Sequence, residues 1–266
     1  MLGKLLKYDL KSEIKSLTPL YLAALLLPIL LRIFDSLQQS LSVFKTVFAI
    51  LIVLYIFTLI GVVLWTLVVC VRRFYQNVLK DEGYLTNTLP VTRNQIIIAK
   101  EISGVICVAL SALIVAISTF LAFYQGGISG FVMEIKFVFE FYGLEVTQMI
   151  GWTILMFIIS IISMLELCYL ALMLGQTRNT NRIVCSVAFG IILYIGVQFI
   201  STIGIGIDYL INPSLMNAVN METASLAMVQ EYVFLLIATS SILTILVILG
   251  FHFASVYLMN HKLNLE

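Results

Sequence analysis

The chain has 266 residues, of which 61% are hydrophobic and 11% are charged, with a mean hydropathy of +1.09 and a formal net charge of +1. About a quarter of the residues of an ordinary soluble domain are charged, so this composition excludes that class and predicts an integral membrane protein. The near-zero net charge gives no indication of nucleic-acid binding. The apolar runs favour helices, which need about 20 residues to cross the hydrocarbon core. We therefore expect an all-α, polytopic membrane protein.

The first predicted element is an amphipathic helix over residues 1–16. Its lysines gather on one side of a helical wheel and its leucines on the other, which is typical of a helix that lies in the membrane interface. Asp9 and Glu13 fall beside the leucines, a position that favours contact with protein over burial in lipid. The alternative is a basic flank that only fixes the orientation of the chain.

Six apolar runs follow, each long enough for a membrane-spanning helix. Polar segments at 72–101 and 175–183 follow the second and fourth runs. The segments at 125–147 and 204–231 follow the third and fifth, and we expect both on the outer surface, the first as an amphipathic segment. The fifth span is expected to end before Gly204. The predicted spans are 17–34, 47–71, 102–124, 150–174, 183–203 and 232–259.

The basic residues are distributed unevenly among these segments. Twelve of the 15 Lys and Arg residues lie in residues 1–16, 72–101, 175–183 and the C-terminal tail, and the other three are Arg32, Lys45 and Lys136. Because cytoplasmic loops carry the excess of Lys and Arg, both termini and the two polar loops are predicted to be cytoplasmic.

The most polar stretch of the chain, residues 80–93, lies in the first of these cytoplasmic loops. Pro90 fixes its own φ and restricts the residue before it, which predicts a rigid break. Thr92 followed three residues later by Gln95 is typical of a capping box and predicts a helix that begins near Arg93 and continues into the third span. The pattern predicts a helix-turn-helix elbow that serves as a docking site. The alternative is a structured loop that only connects two spans.

The segment DEGYLTNTLPVTRNQIIIAK, residues 81–100, resembles the first cytoplasmic loop of ABC transporter permeases of the type-2 exporter class. In that family a glutamate and a Thr-Leu-Pro-Val type run precede basic and polar residues and a lysine. The loop LMLGQTRNTNR, residues 172–182, is similar to the corresponding family segment. The resemblance implies one permease domain over 1–266 in a bacterial plasma membrane, with a second permease copy or sister permease and a cytoplasmic ATP-binding subunit as partners.

Carried over residue by residue, the resemblance also implies a contact surface for the ATPase subunit. The sequence has no G-x-x-x-x-G-K-[ST] phosphate loop, so we expect no catalytic residue or cofactor on this chain, and ATP and magnesium on the partner. The implied contact residues are Asp81, Glu82, Gly83, Tyr84, Leu85, Thr88, Leu89, Pro90 and Arg93.

The resemblance implies that the chain forms half of the translocation path of an ATP-driven exporter. An amphipathic or antimicrobial peptide or a lipid-like molecule is the first candidate for the cargo, because the spans offer a wall of Leu, Ile, Val and Phe. Two alternatives stay open. One is a non-transporting membrane scaffold or immunity-type protein, and the other is an ion-coupled secondary transporter, which would need more than one charged group at mid-membrane.

Glu166 lies inside the fourth predicted span, about 12 Å from its cytoplasmic end at 1.5 Å per residue. A carboxylate at that depth costs a few kcal/mol on insertion scales, so it must face protein or water or be protonated. We expect it to line the translocation path or to bond across a permease dimer; the alternative is a structural bond to a span neighbour such as Tyr169, Ser160 or Ser163, or to a polar group on another helix. His252 and the four cysteines lack metal-ligand spacing, so we expect structural roles for them and no metal site.

Overall fold

The structure is a computed structural model that describes residues 2–37, 42–80, 92–124, 130, 132–137, 146–178, 181–211 and 226–261. The described residues are almost entirely helical and contain no strand. Among the described residues, six helices are long and apolar enough to cross a membrane, which confirms the all-α, polytopic fold. They are α1 (Leu2–Leu37), α2 (Ser42–Phe74), α3 (Arg93–Phe123), α4 (Val146–Gln176), α5 (Arg182–Ile211) and α6 (Leu226–His261).

Residues 2–16 form the first turns of α1, the same helix that contains the first apolar run. Pro19 and Pro28 lie inside α1 and each removes one backbone hydrogen bond, which membrane helices tolerate. The N-terminal turns are therefore continuous with the first candidate span, Leu6–Leu37. An interfacial position for these turns stays a prediction.

Distinct local structures mark the end of α2 and the start of α3, the two helices on either side of the predicted elbow. After Phe74, α2 continues as a π-helical turn, Tyr75–Leu79, followed by extended backbone at Lys80. At the other side, the side chain of Thr92 accepts from the Gln95 amide at 3.3 Å, while the Thr92 amide donates to Gln95 Oε1 at 3.2 Å. The predicted capping box is confirmed, and α3 runs without a break from Arg93 into the third span.

The predicted end of the fifth span before Gly204 is wrong, since α5 continues to Ile211. A Cβ added at Gly204 would overlap the end of the Leu243 side chain of α6, so this glycine leaves room for that side chain. Asp208, 4% exposed, accepts a hydrogen bond from Thr239 Oγ1 of α6 at 2.8 Å. Gly204 and Asp208, which suggested a loop in the sequence, therefore contribute to the packing of α5 against α6.

The turn between α4 and α5 depends on another glycine. A Cβ added at Gly175 would lie 2.7 Å from the backbone nitrogen of Ser186 and 2.8 Å from the carbonyl oxygen of Arg182. Since these are backbone atoms of α5, they cannot move aside as a flexible side chain could. Small residues one turn further along, Ala171 of α4 and Gly190 of α5, continue this close contact.

The chain divides into two compact units, Met1–Ile128 with α1 to α3 and Ser129–Glu266 with α4 to α6. In the first unit α1 packs against α2 and α3, and in the second α4 packs against α5 and α6. Within the predicted outer segment 125–147, residues 132–137 are helical and exposed, and the positions on either side of them are largely outside the described residues.

Candidate functional site

A buried carboxylate, Asp9 of α1, is the centre of a polar cluster in the first unit. Lys100 Nζ of α3 donates to Asp9 Oδ1 at 2.7 Å, and both side chains are almost fully buried, at 3% and 6% exposure. Asn77 Nδ2 of the π-helical turn donates to the same oxygen at 3.5 Å, and Arg73 Nη1 of α2 lies 3.7 Å from it. We call these four residues the Asp9 cluster.

The Asp9 cluster connects the two helices that flank residues 81–91. Arg73 and Asn77 come just before that segment in the chain and Lys100 comes just after it. A buried ion pair contributes little net stability compared with apolar residues, but removing one partner costs about 3–5 kcal/mol because a charge is left in a low-dielectric interior. The cluster therefore fixes the positions of the two flanking helices relative to α1.

Glu13 lies one turn after Asp9 on α1 and is 1% exposed. Ser103 Oγ donates to Glu13 Oε1 at 3.5 Å, and Cys107 Sγ donates to Glu13 Oε2 at 3.1 Å. Both partners lie on α3, so a second carboxylate joins the same pair of helices. Cys107, which the sequence indicated as a packing residue, also acts as a hydrogen-bond donor.

One face of α1 explains why two acidic residues lie among apolar ones. Asp9, Glu13, Leu17, Tyr21 and Ala24 are all buried, and they recur every three or four residues, the spacing of one helical face. This face packs on protein, as the position of Asp9 and Glu13 beside the leucines indicated. The lysines at positions 7, 11 and 15 are exposed.

Further along α1, α2 and α3, the side chains that join the helices carry hydroxyl groups instead of charges. Ser111 Oγ of α3 lies 2.7 Å from both Tyr21 Oη of α1 and Thr66 Oγ1 of α2. Tyr55 Oη of α2 lies 3.0 Å from Ser118 Oγ of α3, which donates to a carbonyl oxygen of α1 at 2.6 Å. We call these five residues the hydroxyl network; it joins α1, α2 and α3 at two levels.

In the second unit, the carboxylate of Glu166 is fully buried and faces α6. Its Oε1 lies 2.7 Å from His252 Nδ1, whose side chain is 18% exposed. This contact is the bond to a polar group on another helix that the sequence left open for Glu166. The sequence did not identify His252 as that group, because the two residues lie 86 positions apart in the chain. A role for Glu166 in a translocation path or across a dimer stays a prediction.

The residues predicted to contact an ATPase subunit are mostly outside the described residues. Arg93 is described, and it is the first residue of α3, directly after the capping threonine. The others lie in the segment 81–91, whose structure is not described: Asp81, Glu82, Gly83, Tyr84, Leu85, Thr88, Leu89 and Pro90.

No protein-family model, curated protein or solved structure matches this chain. The resemblance to type-2 exporter permeases therefore stays a prediction made from the loop sequence. The case for a function depends on the buried polar groups of the described helices and on the distribution of charge along the chain.

Proposed function

We propose that this chain is the permease subunit of an ATP-driven exporter, forms half of a translocation path and couples to a separate ATPase subunit. The observation that carries the proposal is the Asp9 cluster. One carboxylate on α1 contacts the helix that enters residues 81–91 and the helix that leaves them. A partner that displaces this segment would therefore move α1, α2 and α3 together, which is the kind of rigid-body step that converts ligand-driven closure into a change of state.

The start of α3 supports the same role for the elbow. The capping box satisfies the amides of Thr92 and Gln95, so α3 begins at Arg93, directly after its capping residue. A force applied near Arg93 would pass along a continuous helix to Lys100 and on into the span. On the other side, the π-helical turn at Tyr75–Leu79 is a feature that frequently occurs at functional sites.

The distribution of basic residues supports binding of the partner from the cytoplasmic side. Under the positive-inside rule the elbow, both termini and the turn at Gly175 lie on the cytoplasmic side of a bacterial plasma membrane. Since the chain has no phosphate loop, ATP and magnesium would be bound by the partner. A second permease copy or sister permease would complete the path, and an amphipathic peptide or lipid-like molecule suits its apolar helices as cargo.

The proposal is tested by purifying the chain from its native membrane and assaying the recovered material for a phosphate-loop ATPase. We expect such a subunit to co-purify with the wild type and to be lost from a Glu82→Ala, Leu89→Ala variant, which truncates a charge and an apolar anchor in the elbow. The matched control is Glu134→Ala, Val132→Ala, which removes the same kinds of groups from the helical segment 132–137 on the predicted outer side.

The results separate the exporter from a scaffold. Loss of the subunit from the elbow variant alone, together with ATP-dependent flux in reconstituted vesicles, supports the exporter. Recovery of a partner without any ATP-dependent flux supports a non-transporting scaffold. Recovery of no nucleotide-binding subunit with the wild type contradicts the proposal.

The Glu166–His252 pair favours a second candidate, a proton-coupled secondary transporter. A carboxylate and an imidazole 2.7 Å apart within helices that span a membrane can exchange a proton, and such groups mark ion pathways. This candidate predicts flux driven by a pH gradient without ATP, and loss of that flux in His252→Gln. Equal flux with and without the gradient would exclude it.

A further inference from the structure

A cleft of about 180 Å³ lies between α1 and α2 on the surface of the first unit. A drug-sized ligand fills a pocket of about 300–1,000 Å³, so this cleft suits a smaller group. Ser12 and Ser16 of α1 form one wall, and one face of α2 and its π-helical turn forms the other. The residues of that second wall are Trp65, Val68, Val69, Arg72, Arg73 and Gln76.

The cleft carries positive charge at one end. Two guanidinium groups line it, and no carboxylate is found among its described lining residues. Arg73 lies 3.7 Å from Asp9, whereas Arg72 is exposed and makes no ion pair with any residue that the structure describes. Gln76 and the Ser12 hydroxyl add hydrogen-bonding groups. Arginine with neighbouring hydroxyl and amide groups is well suited to bind phosphate oxygens.

The other end of the cleft is apolar and open to the surroundings of the helix. Trp65 is 45% exposed and Val68 is 49% exposed. Seven residues separate Trp65 from Arg72, which places the indole about 10 Å along the helix axis from the charged end. This change from cationic to apolar within one cleft matches an amphipathic molecule at a membrane interface, where tryptophan and arginine side chains are favoured.

We propose that the cleft binds the headgroup phosphate of an anionic phospholipid, with Arg72 as its principal charge and Trp65 beside the first part of an acyl chain. The apolar end is what distinguishes a lipid from free phosphate, because a free anion gains nothing from an exposed indole and valine. The site lies beside the Asp9 cluster through Arg73, so a bound lipid would neutralise charge next to the base of the elbow.

Trp65 provides a direct reporter for this site, since the chain contains two tryptophans and the other, Trp152, lies on α4. In a Trp152→Phe background, the chain is placed in phosphatidylcholine nanodiscs, and fluorescence quenching by brominated phosphatidylglycerol is compared with quenching by brominated phosphatidylcholine. We expect an association constant about fivefold higher for phosphatidylglycerol, the ratio expected from one cation at an anionic lipid surface. High salt should reduce this ratio.

Two arginine substitutions and a control decide the result. Arg72→Ala should bring the ratio to about one, and Arg72→Lys should keep most of the preference because the charge remains. Arg182→Ala, which removes an exposed arginine at the first residue of α5, should leave the ratio unchanged. Quenching by brominated phosphatidylcholine serves as a fold check, since it should be the same in every variant.

Three results would overturn the proposal. They are equal quenching by the two lipids in the wild type, an undiminished preference in Arg72→Ala, and abolition of the preference by inorganic phosphate but not by sodium chloride at the same ionic strength. The last result would assign the cleft to a free anion.

Discussion

The contact between α4 and α5 is made by different means from the contacts among α1, α2 and α3. In α1 to α3 the contacts include the buried ion pair of Asp9 and Lys100, the buried carboxyl group of Glu13 and the hydroxyl network that follows them. Between α4 and α5 the contact is made by small residues that let two backbones approach, centred on Gly175 and Ser186. Lipid provides no hydrophobic driving force between helices, so interhelical hydrogen bonds and close packing are the two available solutions.

The position of the charges in the first unit relates this difference to the proposed function. Close packing of small residues fixes two helices to each other, but such a contact involves no charged group. The Asp9 cluster instead places an ion pair at the base of the predicted coupling elbow, where the cost of breaking it is large. Under the proposed function, the first unit has the contacts expected of the part that receives the force, whereas the contact between α4 and α5 is that of a fixed pair.

The largest effect is expected from Asp9→Ala, which removes the carboxylate that the buried ammonium of Lys100 contacts. We expect a loss of about 3–5 kcal/mol in the free energy of unfolding, measured by steric trapping in bicelles. Glu231→Ala is the control, since that carboxylate is exposed on α6, and it should change stability by about 0.5 kcal/mol or less. A loss below about 1 kcal/mol in Asp9→Ala would show that the cluster contributes little to the first unit.

A smaller effect is expected in the second unit from Gly175→Ala. The added Cβ meets backbone atoms of α5 at 2.7 and 2.8 Å, so α4 and α5 must separate, and overpacking of this kind costs about 1–3 kcal/mol. Gly196→Ala makes the same chemical change on α5 where nothing lies within 4 Å of the new atom. That control should be neutral or slightly stabilising, because glycine inside a helix is less favourable than alanine. Equal stability of the two variants would contradict the account of the turn.

The smallest effect is expected from Ser111→Ala in the hydroxyl network. Hydrogen bonds between membrane helices contribute about 0.6 kcal/mol on average, so the loss should be about 0.5–1.5 kcal/mol even though Ser111 has two hydroxyl partners. A double-mutant cycle with Thr66→Val measures the part that belongs to that pair. A coupling energy near zero would mean that the two hydroxyl groups act independently.

Local signals in the sequence predicted the elements whose causes are themselves local. Thr92 and Gln95 predicted the start of α3, because a capping box involves four consecutive residues. Asp9 and Glu13 predicted a protein-facing side of α1, because their spacing places them on its apolar face. Gly204 led to the wrong end for the fifth span. A glycine that ends a helix and a glycine that leaves room for a neighbouring side chain cannot be distinguished from a single sequence.

The pairings between distant residues could not be predicted in this way. Nothing in the sequence connects Asp9 with Lys100, or Glu166 with His252, because each pair joins helices that are far apart in the chain. Buried carboxylates in apolar runs gave one usable signal, namely that each needs a polar partner. The identity of that partner depends on how the helices pack.

The proposed coupling of the elbow to α1, α2 and α3 through the Asp9 cluster can be measured in the intact complex. The ATPase rate of the co-purified complex is compared between the wild type and Asp9→Asn, normalised to the amount of ATPase subunit recovered. Asparagine keeps the size of the side chain and one acceptor oxygen but removes the negative charge. We expect less of the complex to be recovered, because Lys100 loses its counter-charge, and a severalfold lower rate per recovered subunit, because the elbow still binds but no longer moves the three helices together. An unchanged rate per recovered subunit would contradict the coupling.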